Sequence, residues 1–189
     1  MAFLTVAVLL NVPAANADSD TKKDSVEGKK VTQGKTTSVK IGDKAPDFSL
    51  LSGSGETVAL KDFNGKKSVV LFFYPKDETS VCTKEACAFR DQFEVFKDLG
   101  AEVIGVSSDS VQSHKEFAAS HKLPYKLLSD DGGKLRKLYG VPSTMGIIPG
   151  RVTYVIDKAG TVKHVFNSQM EGEKHVTEAV AMLKSLQGK

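Results

Sequence analysis

The segment Ser68–Tyr74, which reads SVVLFFY, most constrains what this chain can fold into. It is a continuous apolar run, and Pro75 ends it. Such a run is typical of a β-strand that is buried on both faces. A strand of this kind needs a layer of structure on each side of its sheet. The run therefore predicts an α/β protein whose central sheet is covered by helices.

The rest of the chain alternates between strand and helix patterns. Thr83–Leu99 has helical spacing, because Ala86, Phe89, Phe93 and Phe96 fall on one stripe that we assign to the core. Further strands are predicted at Thr57–Leu60, Glu102–Ser107, Tyr125–Leu128, Arg151–Asp157 and Thr161–Asn167, and further helices at Val111–His121, Gly133–Tyr139 and Glu173–Leu186. The turn Lys158-Ala159-Gly160 makes the last two strands a hairpin. This order predicts a thioredoxin-like fold with a central mixed β-sheet flanked by helices on both faces.

The N-terminal 40 residues are predicted to lie outside the folded domain. Residues 1–17 resemble a targeting remnant, because the apolar run Ala2–Val12 precedes an A-x-A cleavage pattern at Ala15 and Ala17. Residues 18–40 are rich in Lys, Thr, Asp, Ser and Gly, and this composition predicts a flexible linker. The domain is predicted to span residues 41–189. A buried element of the domain is the alternative interpretation of the apolar run.

The apolar run also bears on the compartment. It is shorter than the roughly 20 residues that a helix needs to span a bilayer, so no stable membrane insertion of the mature domain is expected. No Lys or Arg precedes Lys22, so the basic region of a signal peptide is missing. Either the true start is lost or the run is the second half of a bipartite signal. We therefore expect a plastid protein, with the thylakoid lumen as the compartment that a bipartite signal would indicate and a periplasmic or secreted protein as the alternative.

Composition excludes several classes of function. The net charge of +3 is mild and much of it lies in the Lys-rich stretch 18–40, so no nucleic-acid partner is expected. His114, His121, His164 and His175 are scattered and form no zinc pattern with the cysteines. The glycines lack the strand-to-helix context of a phosphate-binding loop. Neither a metal nor a cofactor is predicted.

Cys82 and Cys87 are the two cysteines of the chain, and they lie five positions apart. A disulfide between them would close a very small loop and would stabilise little. We therefore expect the two cysteines to take part in a reaction. The alternative is that both are small buried residues on a helix. Cys82 follows a strand and a short loop and opens a helix, where free N–H groups and the positive dipole end favour a thiolate.

Three residues around this helix start form a longer motif: Pro75, Thr79 and Cys82 have the spacing Pro, three residues, Thr, two residues, Cys. Together with CTKEACAFRD, GDKAPDF, EVIGVS and PGRVTYVID, this motif resembles the peroxiredoxin family, and most closely its Q-type, or bacterioferritin-comigratory-protein, subgroup. The resemblance implies a thiol-dependent peroxidase for hydrogen peroxide and organic hydroperoxides that serves antioxidant defence. It also implies a thioredoxin-type reductant and a monomer.

The resemblance assigns roles to five residues. Cys82 is expected to be the peroxidatic nucleophile and Cys87 the resolving cysteine. Thr79 is expected to orient the peroxide, Pro75 to shield the sulfenic acid, and Arg151 to stabilise the thiolate, for which its permanent charge and several donors suit it. Where the subgroup usually has Pro-Gly, this chain has Ser80-Val81. Because valine adopts positive φ poorly, the loop is expected to differ there.

Helix geometry constrains the Cys82–Cys87 disulfide. Five helical residues rise about 7.5 Å and turn the two side chains about 140° apart. A disulfide needs Cα atoms within roughly 7 Å of each other. The bond cannot form while both residues are helical, so the oxidised protein is expected to lose helix between them.

Two other functions remain open at this point. A protein dithiol-disulfide oxidoreductase would use the same cysteines, but the chain has no C-x-x-C spacing and no Trp. A non-catalytic redox chaperone or interaction module is the second alternative, and a Cys82→Ser variant with full activity would favour it.

Overall fold

In the computed structural model, the described residues are 38–144 and 146–188. The predicted targeting segment, residues 1–17, and most of the predicted linker, residues 18–40, lie outside them. Val39 is buried, and its N–H donates to the carbonyl of Tyr139 over 3.1 Å. Packing therefore extends at least two residues ahead of the predicted domain start at Ile41.

Strands and helices alternate through the described residues. The strands are β1 (Ser49–Leu51), β2 (Thr57–Ala59), β3 (Ser68–Phe73), β4 (Ala101–Ser107), β5 (Lys126–Ser129), β6 (Ser143–Thr144), β7 (Ile148–Pro149), β8 (Val152–Ile156) and β9 (Val162–Asn167). The α-helices are α1 (Ser80–Asp91), α2 (Phe93–Asp98), α3 (Val111–Ser120), α4 (Lys134–Leu138) and α5 (Gly172–Gln187). Short 3-10 helices span Leu60–Phe63 and Asp131–Gly133.

Five strands form the central sheet, in the order β5-β4-β3-β8-β9. β4 pairs in parallel with both β3 and β5. β8 is antiparallel to β3 and to β9, as the predicted hairpin requires. The predicted mixed sheet and thioredoxin-like fold are confirmed.

β3 lies at the centre of this sheet, and all six of its residues are buried. Successive side chains point to opposite faces of a strand. Val69, Leu71 and Phe73 accordingly pack into one core with residues of α4 and β8. Val70 and Phe72 pack into the other core with residues of α1, α3 and α5. The continuous apolar run thus serves two cores.

The predicted helix Thr83–Leu99 is two helices in the structure, α1 and α2, separated at Gln92. α1 also begins three residues earlier than predicted, because extended Thr79 is its N-cap and the Thr79 carbonyl accepts from the N–H of Thr83. Ser80 is exposed and Val81 only half-buried, so the first turn carries no apolar periodicity. The start was therefore not visible in the hydrophobic pattern.

The helices bury one side and expose the other. α5 is the longest, with 16 residues, and it buries His175, Val176, Ala179 and Leu183. Within residues 38–144 and 146–188, no helix has both the length and the apolar character that crossing a bilayer requires.

Candidate active site

Cys82 lies in the first turn of α1, directly after the loop that leaves β3. We call residues 75–79 the β3–α1 loop. The Cys82 side chain is 2% exposed and forms no disulfide. The free N–H groups of a first helical turn and its positive dipole end favour a negative charge nearby. The fold thus places a buried sulfur where an anion is stabilised.

Arg151 provides a second source of positive charge at this sulfur. It immediately precedes β8, the neighbour of β3 in the sheet, and is 1% exposed. Its Nη2 donates to Sγ of Cys82 over 3.1 Å, and its Nε donates to the carbonyl of Gln169 over 3.2 Å. Burial alone lowers the pKa of Arg151, but the neighbouring Glu85 and Cys82 outweigh burial and raise it. The guanidinium therefore stays charged beside the sulfur.

Glu85 holds the other side of the same guanidinium. It is fully buried, and its Oε2 accepts from Nη1 of Arg151. Among the described residues, its Oε1 has no hydrogen-bond partner and lies 3.7 Å from Nδ1 of His175. Burial raises the pKa of Glu85 to about 8, although the Arg151 charge acts in the opposite direction. Glu85 thus fixes the position of Arg151 through Oε2, while its Oε1 accepts no hydrogen bond from the described residues.

His175 closes the site from α5 as a neutral side chain. Its Nε2 faces the carbonyl of Ser168 at 2.9 Å and therefore donates. Its Nδ1 then accepts from the hydroxyl of Thr153 over 2.8 Å. Burial lowers the pKa of His175 to about 4. Near neutral pH it therefore adds no positive charge that would compete with Arg151.

A Glu85→Gln variant tests this electrostatic arrangement. The raised pKa of Glu85, about 8, means that the folded state holds a proton that the unfolded chain releases near pH 4. The stability that this proton contributes is present below pH 4 and is lost as the pH rises to about 8. The free energy of unfolding of the native protein, relative to Glu85→Gln, should therefore fall over this range by up to about 1.4 kcal/mol per pH unit.

Urea unfolding at intervals between pH 5 and 9 measures this difference. A Glu56→Gln variant is the matched control, because exposed Glu56 contacts Lys126 at the surface over 3.0 Å. The control should show a nearly flat difference. An equally flat difference for Glu85→Gln would contradict the assignment.

Thr79 and Pro75 lie in the β3–α1 loop as the sequence predicts. Thr79 is exposed, and its hydroxyl donates to the carbonyl of Lys76 over 3.1 Å rather than to Cys82. Pro75 is half-buried and directly follows Tyr74. In this state the structure brings Arg151 to the sulfur, while the Thr79 hydroxyl is bonded within its own loop.

Cys87 lies five residues after Cys82 in the same helix, is half-buried and is unpaired. About 7.5 Å of helical rise and about 140° of rotation separate two such side chains. While α1 keeps this helical geometry, the expected disulfide between Cys82 and Cys87 cannot form.

The unusual Ser80-Val81 pair occupies the first turn of α1 rather than a loop. The positive φ in this region is at Glu78, with a value of 58°. Neither Ser80 nor Val81 has a positive φ. The strain that Val81 would have at a positive φ is therefore absent.

Sequence reasoning missed Glu85 and His175, and it also missed Arg136. Buried Arg136 donates to the carbonyls of Gly150 (2.8 Å) and Tyr74 (2.7 Å), and so links the residue before Arg151 to the end of β3. A signal for Glu85 was available, because it lies three residues after Cys82 on the apolar side of α1. A charged residue in such a stripe indicates a buried partner. His175 and Arg136 had no comparable local signal.

Comparison with known proteins agrees with this site. The model of the AhpC/TSA family matches residues 41–165. The chain belongs to the AhpC/TSA family. It is 54% identical over 146 residues to the chloroplastic peroxiredoxin Q of Sedum lineare, an alignment that covers 77% of this chain and 78% of that one. It is 55% identical over 148 residues to the chloroplastic peroxiredoxin Q of Arabidopsis thaliana, with 78% and 68% covered.

A solved structure shows the same AhpC/TSA fold. The crystal structure of peroxidoxin BcpB from Mycobacterium tuberculosis superimposes with a TM-score of 0.73 at 36% identity, covering 78% of this chain and 98% of that one. The resemblance to Q-type peroxiredoxins is thereby confirmed, and the protein is a thiol-dependent peroxidase. A peroxide substrate and a thioredoxin-type reductant follow from the family.

Proposed function

We propose that Cys82 is the residue that reduces the peroxide. The observation that supports this most directly is the 3.1 Å contact between Nη2 of Arg151 and Sγ of Cys82 in a buried first helical turn. The Cys82 thiolate attacks one peroxide oxygen, the O–O bond breaks and an S–O bond forms. The sulfur is oxidised to a sulfenic acid, and the other oxygen takes up a proton and leaves as water or an alcohol. Arg151 stabilises both the thiolate and the charge on the departing oxygen.

Thr79 and Pro75 complete the peroxide site in this proposal. Among the residues that the structure describes, the Thr79 hydroxyl is bonded to the Lys76 carbonyl of its own loop. Because Thr79 is exposed and at the N-cap of α1, a rotation about its Cα–Cβ bond can redirect this hydroxyl to a bound peroxide. Pro75 lacks an N–H and limits the access of water to the sulfenic acid.

Cys87 resolves the sulfenic acid in the second step. Its thiol attacks the Cys82 sulfur, a disulfide forms, and the hydroxyl leaves as water. α1 must unwind between the two residues because of the separation described above. Cys87 is half-buried, so unwinding also makes the disulfide accessible to a thioredoxin-type dithiol, which returns both residues to thiols.

The compartment and the assembly are further proposals. The named plant relatives are chloroplastic proteins, and this supports a plastid location for this chain. Within the plastid, the A-x-A pattern at Ala15 and Ala17 supports the thylakoid lumen. We propose a monomer, on the Q-type resemblance. Chloroplast fractionation and sedimentation velocity test the two proposals.

A comparison of two assays tests the proposed function against the dithiol-disulfide oxidoreductase. The protein should consume hydrogen peroxide and an organic hydroperoxide in the presence of thioredoxin, its reductase and NADPH, and the rates should saturate with thioredoxin. It should not accelerate the reduction of insulin by dithiothreitol, because four residues separate Cys82 from Cys87, whereas two separate the cysteines of a C-x-x-C pair. Rapid insulin reduction with negligible peroxide turnover would favour the oxidoreductase.

A further inference from the structure

The β3–α1 loop contacts the protein at its surface, where Oε2 of Glu78 lies 3.1 Å from Nε2 of His121. The one buried residue of this loop is Asp77, which is 4% exposed. Its Oδ1 accepts from the hydroxyl of Tyr74 over 2.6 Å, and its Oδ2 accepts from the hydroxyl of Ser113 over 2.7 Å. Nδ1 of His114 lies 2.9 Å from the same Oδ2. The backbone N–H of Asp77 donates to Oδ2 of Asp109 over 2.9 Å. Of these partners, Tyr74 directly follows β3, Ser113 and His114 belong to α3, and Asp109 lies between β4 and α3.

The imidazole of His114 is held on both sides. His114 is fully buried, and its Nε2 lies 3.1 Å from the carbonyl of Leu128 in β5. Its Nδ1 lies 2.9 Å from the Asp77 carboxylate, and the Tyr74 hydroxyl lies 3.4 Å from the same nitrogen. The ring therefore connects Asp77 to the central sheet.

The polar groups around Asp77 favour its ionised form. Burial alone raises the pKa of Asp77, but the hydrogen bonds from His114, Tyr74 and Ser113 outweigh it and lower the pKa. Burial, and next the Asp77 charge, raises the pKa of Tyr74 well above 10. Tyr74 therefore stays a neutral donor. The Asp109 carboxylate contacts the backbone of Asp77 rather than the imidazole.

We propose that His114 is a positioning residue for the peroxidase reaction. Its contact holds Asp77, and with it the β3–α1 loop, against α3. Pro75 and Thr79 both belong to this loop. None of the partners of Asp77 named above is in α1, so the loop can keep its place while α1 unwinds to form the disulfide. The inference rests on the proposed roles of Cys82 and Thr79.

Substitutions on both sides of the contact test this inference through the rate at which the reduced protein reacts with peroxide. Asp77→Asn places an amide against donors that need an acceptor, and His114→Gln removes the ring that connects Asp77 to the Leu128 carbonyl. Both should lower the second-order rate constant about tenfold or more, because small displacements of a reactive group are costly. The matched control is His164→Gln. His164 also lies beside a carboxylate, that of Glu178, with Nε2 and Oε2 3.2 Å apart between β9 and α5, although the two atoms lack hydrogen-bond geometry. Its rate constant should stay within about twofold of that of the native protein.

A spectroscopic measurement separates positioning from simple structural support. In nitrogen-15 spectra of the native protein, the ring-nitrogen signals of His114 should be the same before and after the Cys82–Cys87 disulfide forms, because the loop keeps its place while α1 unwinds. In Asp77→Asn these signals should shift, because the carboxylate that faces Nδ1 is lost. His164→Gln should leave them unchanged.

Two results would overturn the proposal: His114 signals that shift when the disulfide of the native protein forms, or a native rate in Asp77→Asn. The comparison of reduced and oxidised spectra uses the native protein, so a variant that fails to fold leaves the test intact. Failure of the proposed function would show differently, as peroxide turnover that survives Cys82→Ser.

Discussion

Replacing Cys82 with serine is expected to reduce thioredoxin-coupled peroxide turnover to the uncatalysed background. A serine hydroxyl is not ionised near neutral pH, whereas the site is arranged to stabilise an anion at this atom. The first turn of α1 and the Arg151 guanidinium provide that stabilisation. Without a thiolate there is no atom to take the peroxide oxygen. NADPH consumption in the presence of thioredoxin and its reductase measures the loss.

The fold of Cys82→Ser should survive, because serine is smaller and Arg151 keeps its bonds to Glu85 and to the Gln169 carbonyl. Circular dichroism and thermal unfolding provide this control. Turnover that persists in a folded Cys82→Ser protein would refute the assignment of the nucleophile. It would also favour the non-catalytic or alternative functions considered above.

Replacing Cys87 with serine should have a different effect that is nearly as large on steady-state turnover. Cys82 and Arg151 remain, so the first peroxide equivalent should be consumed at close to the native rate. The reaction should then stop, because no thiol in the chain can displace the hydroxyl from the Cys82 sulfur. Rapid-mixing kinetics should show a burst of one equivalent, and mass spectrometry should show a protein that is one oxygen atom heavier.

The same variant isolates the conformational step. Oxidation of the native protein should lower its helical circular dichroism, because the disulfide cannot form while the first turns of α1 are intact. Oxidised Cys87→Ser should keep its helix, because its sulfenic acid needs no rearrangement. Full helix in native protein with the disulfide formed would contradict the proposed unwinding, as would continued turnover by Cys87→Ser.

Much of the fold could be predicted because its signals are local. The apolar run of β3 predicted a strand between two helical layers, and the hairpin of β8 and β9 was visible in its turn. The missed elements lack such signals. β6 and β7 have two residues each, too few for any periodicity, and the first turn of α1 is mostly exposed.

The residues of the candidate site likewise differ in whether a local sequence pattern reveals them. Pro75, Thr79, Cys82 and Cys87 lie within 13 positions of one another, so their spacing could be recognised along the chain. Arg151 was reached only through the resemblance to a family. The contacts of Asp77 with His114, and of Arg151 with Cys82, span 37 and 69 positions respectively. No local pattern encodes contacts at such distances.

What the sequence by itself determined is the chemistry that is available: two thiols five positions apart, the first at a helix start after a doubly buried strand. What only the tertiary structure decided is how that chemistry is controlled. Pairing of β3 with β8 brings Arg151 to the sulfur, the burial of Glu85 sets the position of that arginine, and α3 holds the loop that precedes Cys82. The reason is physical. Backbone propensity and apolar periodicity act over a few residues, whereas burial and charge pairing depend on side chains that meet only after the sheet has formed.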